Sequence, residues 1–208
     1  MIAAAVAGAA LGSKLLFWLE DPSLTAQNLH NPAYLIGGKT IVGALIFGLI
    51  TVELIKRYIG LRQSTGDLYA IPLALGIAIG RIGCFLTGLA DNTYGIPTTL
   101  PWAVNFGDGI PRHPTQLYEI IFLLALVPFL YKIVALTPSR RFLPGDAFKF
   151  FMVAYLTFRL LCDFIKPYPR IFLGLGGIQW ACLLTLLYYS RDIARWLRST
   201  LASATSPG

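Results

Sequence analysis

LYAIPLALGIAIGRIGCFLTGL, residues 68–89, carries a single charge, Arg81, along its whole length. A helix needs about 20 mostly apolar residues to cross the hydrocarbon of a bilayer, so this stretch reads as a membrane span. Five further stretches qualify in the same way, residues 2–19, 38–55, 116–134, 147–165 and 171–189, some of them interrupted by charges. The expected fold class is all-α, a polytopic membrane helical bundle of about six transmembrane helices. Of 208 residues, 56% are hydrophobic and 13% charged, against about a quarter charged in a soluble domain. Residues 1–202 read as one transmembrane domain and residues 203–208 as a disordered C-terminal tail.

The loops between these spans alternate in charge. One set holds Lys56, Arg57 and Arg62, then Arg140 and Arg141, then Arg191, Arg195 and Arg198. The other holds Glu20, Asp21, Asp91, Asp108, Arg112, Lys166 and Arg170. The positive-inside rule puts the first set and both termini in the cytoplasm. The net charge of +7 is then a matter of membrane orientation, and no nucleic-acid partner is expected. Cys84, Cys162 and Cys182 all lie in apolar stretches and imply no disulfide framework. No cleavable signal peptide is read at the N-terminus, where Lys14 interrupts the apolar run. The sequence carries no convincing internal repeat of the kind many transporters have. The two longest connections, 21–37 and 90–113, have no helical pattern and fall outside, where long loops tend to be functional.

An arginine at membrane depth is costly and rarely kept without a use. At about 1.5 Å per residue, Arg81 lies roughly 20 Å up its span and Arg159 roughly 18 Å up its own. Asp163 follows Arg159 by one turn on the same face. Glu119 enters from outside, a few residues below the interface. The four therefore share a level in the outer half of the bilayer. The plainer readings stay open: Arg159 with Asp163 as a structural ion pair, and Arg81 as a cap on helix carbonyls. Lys14 and Lys149 read as snorkelling or structural residues. Glu53 reads as the local partner of Lys56 or Arg57. The cysteines read as small hydrophobes and His30 as a loop residue. His113 stands beside Arg112 just before Pro114, at a helix start, and a histidine can exchange protons near neutral pH. Gly38-Lys39-Thr40 looks like the end of a P-loop, but that motif needs a glycine at position 33, which is Ala33. Arginines recognise phosphate bidentately, so the cluster suits an anionic, lipid-like substrate.

At these residues the chain resembles the prolipoprotein diacylglyceryl transferases. Gly80-Arg81-Ile82-Gly83 followed by Phe85 is similar to the start of that family's signature. Pro101-Trp102-Ala103 and the run from Arg112 through His113, Pro114, Thr115, Gln116, Leu117 and Tyr118 to Glu119 resemble its next blocks. Phe158-Arg159 with Asp163 resembles its penultimate helix, where the family has Glu at the position of Asp163. Residues 9–19 and Gly37-Gly38 match more weakly.

The resemblance implies transfer of the diacylglyceryl group of phosphatidylglycerol to the lipobox cysteine of a prolipoprotein signal peptide. The reaction takes place at the outer face of the bacterial inner membrane and releases glycerol 1-phosphate. It implies that Arg81 and Arg159 hold the phosphoglycerol headgroup and that Asp163 orients Arg159. His113, Tyr118 and Glu119 order the site or assist removal of the thiol proton. Gly37, Gly38, Gly83, Gln116 and Asp91 are implied on the substrate side, with no cofactor and no metal. The chain also departs from the family pattern. Ile36 stands where the family has a histidine before its Gly-Gly pair, and Lys39 follows that pair. Cys84 replaces the signature asparagine. Residues 89–95 replace a Glu-containing stretch, for which Asp91 is the stand-in. The family's first span has no counterpart before Ile2. Two other functions fit the same residues, a non-catalytic scaffold that binds lipid or lipoprotein precursors and a small-anion transporter.

Overall fold

The computed structural model describes residues 1–138 and 142–205, the last six by backbone alone. Among them the chain is mostly helical. The order is α1 (Ile2–Glu20), α2 (Pro22–Gln27), α3 (Pro32–Gly37), α4 (Ile41–Tyr58) and α5 (Asp67–Thr87). An antiparallel hairpin follows, β1 (Val104–Asn105) with β2 (Pro111–Arg112), Val104 lying opposite Arg112. Then come α6 (Thr115–Leu136), α7 (Asp146–Cys162), α8 (Gly177–Tyr188) and α9 (Ser190–Thr205). Three segments are long and apolar enough to cross a membrane: Ile2–Glu20, Asp67–Asp91 and Thr115–Leu136. α8 is apolar but shorter.

Three features differ from the sequence expectation. The first long connection, residues 21–37, is not devoid of helix. Asp21 accepts the N–H of Leu24, Asn31 accepts those of Ala33 and Tyr34, and Pro22 and Pro32 sit in the first turns, where a missing N–H costs nothing. These caps start α2 and α3 without any apolar periodicity. Within the second outer loop, residues 104–112 pair as a hairpin. Arg191, Arg195 and Arg198 belong to a helix, α9, rather than to an irregular connection. The tail expected at 203–208 falls on the last turn of α9 and on residues 206–208. Those three, like Arg140 and Arg141, lie outside the described residues.

The helices pack in sequence across the molecule: α1 lies on α4, both touch α8, α8 touches α7, and α7 meets α6 and α5, which pack on each other. The α1–α4 seam is built on glycine. A Cβ on Gly12 would strike the carbonyl oxygen of Gly43, and one on Gly43 would strike that of Gly12. Such backbone approach replaces the hydrophobic drive that membrane helices lack between one another. The main core forms between α5, α6 and α7, where Ala70, Ala74 and Ala78 meet larger side chains including Leu123, Leu130, Phe151 and Tyr155.

At the end where α5 and α7 begin, Asp67 fastens these two helices together. Its carboxylate accepts the N–H groups of Gly145 (2.6 Å), Ala147 (3.0 Å) and Phe148 (3.3 Å), the otherwise orphaned donors at the start of α7. Asp146 in turn takes both arms of Arg195 from α9, and Lys149 pairs with Asp192 at 2.8 Å.

Candidate functional site

On α5, α6 and α7 the buried face is apolar toward the end where α5 and α7 begin and charged toward the opposite end. Along α5, Ala70, Ala74 and Ala78 lead to Arg81. Along α6, Ile133, Leu130, Leu126 and Leu123 lead to Glu119, Gln116 and Thr115. Along α7, Phe151 and Tyr155 lead to Arg159, with Asp163 in the short 3₁₀ turn that follows. Packing these faces against one another gathers the polar ends into one buried cluster.

Glu119 is its centre, 1% exposed. Its Oε2 faces Arg81 Nε at 2.9 Å and Arg159 Nη1 at 3.4 Å, and its Oε1 accepts the Tyr155 hydroxyl at 2.7 Å. Arg159 also reaches Asp163 Oδ1 at 2.8 Å through Nη2. Lys166 lies 4.0 Å from that same oxygen and over the ring of Tyr168. Arg170 donates to the carbonyls of Asp163 and Phe164 and to Gln179, whose amide nitrogen donates to Leu160 O at 3.1 Å. Glu20, at the outer end of α1, lies within electrostatic range of Arg159, Asp163 and Lys166.

Counting every group as ionised, four cations (Arg81, Arg159, Lys166, Arg170) face three carboxylates (Glu20, Glu119, Asp163). One positive charge is left over. Beyond Glu119, Arg81 meets only the Cys84 sulfur among the described residues, 3.6 Å from Nη1 and a weak acceptor. Its guanidinium fork therefore keeps donors free for an anion.

A second cluster lies at the start of α6. Trp102 Nε1 donates to the Tyr118 oxygen at 2.8 Å, and that hydroxyl lies 3.1 Å from His113 Nδ1. An indole nitrogen only donates, so Tyr118 accepts from Trp102, and the hydrogen between its hydroxyl and Nδ1 belongs to either group according to the His113 tautomer. His113 is held from both sides of its backbone: its N–H donates to Ile96 O, and its carbonyl accepts from Gly95. Ile96 N–H in turn donates to Ile165 O, beside Asp163. A Cβ on Gly95 would lie 2.6 Å from that of His113 and 2.8 Å from Ile165 O, so only glycine lets this strand pass between the two.

The remaining expected residues divide. Asp91 accepts from Thr93 and lies near Cys84, on the Arg81 side of the site. Gly37 and Gly38 lie apart, at the α3–α4 corner, where Lys14 donates to the carbonyls of Ile36 and Gly38. Gly83 sits on an exposed face of α5 with open space where a Cβ would be. Arg112 forms a fork with Asp108, two contacts of 2.7 Å, and stacks over Tyr94 in the outer hairpin. That hydrogen-bonded fork holds the Asp108 carboxyl down at about 2.

Sequence reasoning missed Tyr155, which passed as one more aromatic in an apolar run. The available signal was its spacing, since Tyr155, Arg159 and Asp163 recur every four residues on one helix face. Lys166 and Arg170 were counted only as loop charges. Gln179, a lone amide in an apolar stretch, drew no notice. No group of three or more metal-ligating side chains occurs among the described residues.

A family model described as prolipoprotein diacylglyceryl transferase matches residues 1–196. Relatives named phosphatidylglycerol–prolipoprotein diacylglyceryl transferase include one from Bordetella bronchiseptica, 36% identical over 184 residues, which cover 82% of this chain and 64% of the relative. One from Polynucleobacter necessarius is 31% identical over 201 residues, covering 88% and 71%. One from Nitratidesulfovibrio vulgaris is 31% identical over 210 residues, covering 95% and 74%. The chain thus spans a little under two thirds of the length of the Bordetella relative. No solved structure matches it.

Proposed function

The chain belongs to the prolipoprotein diacylglyceryl transferase family, and from that membership we propose that it moves the diacylglyceryl group of phosphatidylglycerol onto the lipobox cysteine of prolipoproteins. The observation that carries the proposal is the Arg81–Glu119–Arg159 cluster, two guanidiniums on one buried carboxylate with one positive charge in excess around them. A phosphodiester carries one negative charge and complements that excess. Preorganised cations in a site screened from water stabilise the charge that builds on a departing phosphate.

In this reading the substrate thiol loses its proton, since the thiolate is the nucleophile. The sulfur attacks the glycerol carbon that bears the phosphate, a C–S bond forms, and the C–O bond breaks. Glycerol 1-phosphate leaves with the electron pair, held by Arg81 and Arg159. With His113 in its Nε2–H tautomer, the thiol proton passes to the Tyr118 oxygen while Tyr118 hands its own to His113 Nδ1. Glu119 has both oxygens engaged, by Tyr155 and by the arginines, which suits a positioning role better than that of a base. Asp163 orients Arg159 from the other side. Asp91 and Tyr118 line the approach, and Gly37, Gly38 and Gly83 sit where a lipid chain or signal peptide passes along the helices.

We read α1, α4, α5, α6, α7 and α8 as six spans of the bacterial inner membrane, with both termini cytoplasmic. The cations near the inner ends of α4 and α9 support that orientation, and it puts the cluster toward the outer leaflet.

The test is transfer from labelled phosphatidylglycerol to a lipobox peptide by the purified protein in detergent, beside Arg81→Ala. Transfer with release of glycerol phosphate that vanishes in the variant supports the enzyme. Lipid binding without release, by a folded protein, defeats it in favour of a scaffold.

A further inference from the structure

One side chain at the outer end of α6 is buried without a protein partner. Gln116 is 1% exposed, and neither its amide nitrogen nor its carbonyl oxygen finds a hydrogen-bonding group among the described residues. Buried amides are rarely left this way, because each unmade bond is a net loss on folding. The Nε atoms of Arg81 and Arg159 and the Asp163 carboxylate also lack well-aligned hydrogen bonds, but they sit in ion pairs. Gln116 has no such compensation.

Its position gives the unpaired amide a meaning. Gln116 precedes Glu119 by three residues on the buried side of α6, about 4.5 Å nearer the outer end at 1.5 Å per residue. Its neighbour Thr115 is pinned to Thr93 O at 2.6 Å, which fixes the first turn of the helix. A phospholipid lies with its chains toward the bilayer centre and its head alcohol beyond the phosphate. With the phosphate on Arg81 and Arg159, the head alcohol falls at the level of Gln116. A primary amide offers N–H donors and a carbonyl acceptor together, and a glycerol hydroxyl can satisfy either. An ethanolamine head has only donors to give, leaves the amide N–H unpaired, and brings a cation into a site already one charge positive.

We propose that Gln116 selects the head alcohol of the lipid donor, its amide pairing with the free hydroxyls of the head glycerol. The inference rests on the transferase reading above and adds the residue that sets lipid specificity. It makes Gln116 a specificity residue, since the head hydroxyls it holds are remote from the carbon under attack.

The experiment compares kcat/KM for phosphatidylglycerol with that for phosphatidylpropanol, whose propyl head has nearly the same shape and no hydroxyl. Wild type and Gln116→Met are assayed with the same lipobox peptide. Wild type is expected to favour phosphatidylglycerol by about 10- to 100-fold, the factor that leaving one buried amide without its hydrogen bonds gives. In Gln116→Met the preference is expected to shrink to within about threefold, through loss on phosphatidylglycerol alone. The variant should be no less heat-stable than wild type, because an apolar side chain of similar shape removes an unmet burial demand. Equal losses on both lipids, a large fall in stability, or a wild type that does not tell the lipids apart would each overturn the proposal. Should Gln116→Met fail to fold, Gln116→Leu gives the same comparison, and failure of both would mark Gln116 as structural. A wild type that transfers from neither lipid defeats the transferase reading first, and this inference with it.

Discussion

Glu119 is what allows two guanidiniums to share one buried site. Removing its charge leaves Arg81 and Arg159 facing each other with too little to offset them, and breaking one side of a buried ion pair costs about 3–5 kcal/mol. Glu119→Gln is therefore expected to lower the detergent-solubilised protein's melting temperature sharply, and anionic lipid should restore part of the loss. Arg159→Lys should behave differently. A lysine keeps the charge but not the fork, and so cannot hold Glu119, Asp163 and a phosphate together. Its expected outcome is a folded protein with transfer reduced by about a hundredfold or more, read as product per minute with the lipobox peptide. Near-normal turnover would remove Arg159 from phosphate binding. Arg81, Glu119, Arg159 and Asp163 were legible in the sequence because a charge inside an apolar run advertises itself. Tyr155 was not, since a tyrosine there looks like lipid-facing packing until its hydroxyl is seen on Glu119.

The three helices long and apolar enough to cross a bilayer, α1, α5 and α6, could be read from the chain because the bilayer dictates their length. The short elements obey local rules that a hydropathy scan does not register. α2 and α3 exist through Asp21 and Asn31, and the outer hairpin through a pairing between residues on either side of a turn. Asp67 is a further case, a side chain on one helix capping another 78 residues away in sequence. Asp67→Ala is expected to cost about 1–2 kcal/mol, as loss of a good N-cap does. Hydrogen exchange should report it as faster opening at the first turn of α7, with the α1–α4 pair unchanged. The hairpin makes a prediction about pH. Fork-bonded Asp108 has its carboxyl depressed to about 2, against roughly 3.9 for an unperturbed aspartate. A depressed carboxylate contributes stability that is complete above its unfolded value and disappears as pH falls through the folded one. The hairpin should thus stay ordered at pH 5 and loosen between about pH 4 and pH 2. The carboxyl carbon signal of Asp108 should titrate near 2, and Arg112→Gln should return it toward 4. An unshifted midpoint in the wild type would mean the fork does not persist in solution.

At the scale of the molecule, the charged ends of α5, α6 and α7 gather at one level, and the cations of α4 and α9 stand at the other. That polarity predicts orientation. A fluorescent protein fused to the C-terminus should mature in the cytoplasm, and a reporter active only outside should work when inserted in the hairpin at residues 107–109. A reversed pattern would put the ion cluster on the wrong side for prolipoproteins. The helical, largely apolar character of the molecule was legible, because hydropathy reports it directly. The order of packing was not, since it depends on shape. The Gly12–Gly43 seam is one such matter of shape, and it bears on how the chain is made. A ribosome delivers α1 and then α4 before Arg81, Glu119, Arg159 or Asp163 leaves the exit tunnel. Two helices whose backbones interlock can dock as soon as both reach the lipid, giving the nascent chain a finished hairpin to build on. Arg81, the costliest residue to leave in hydrocarbon, then emerges after a scaffold is already in place.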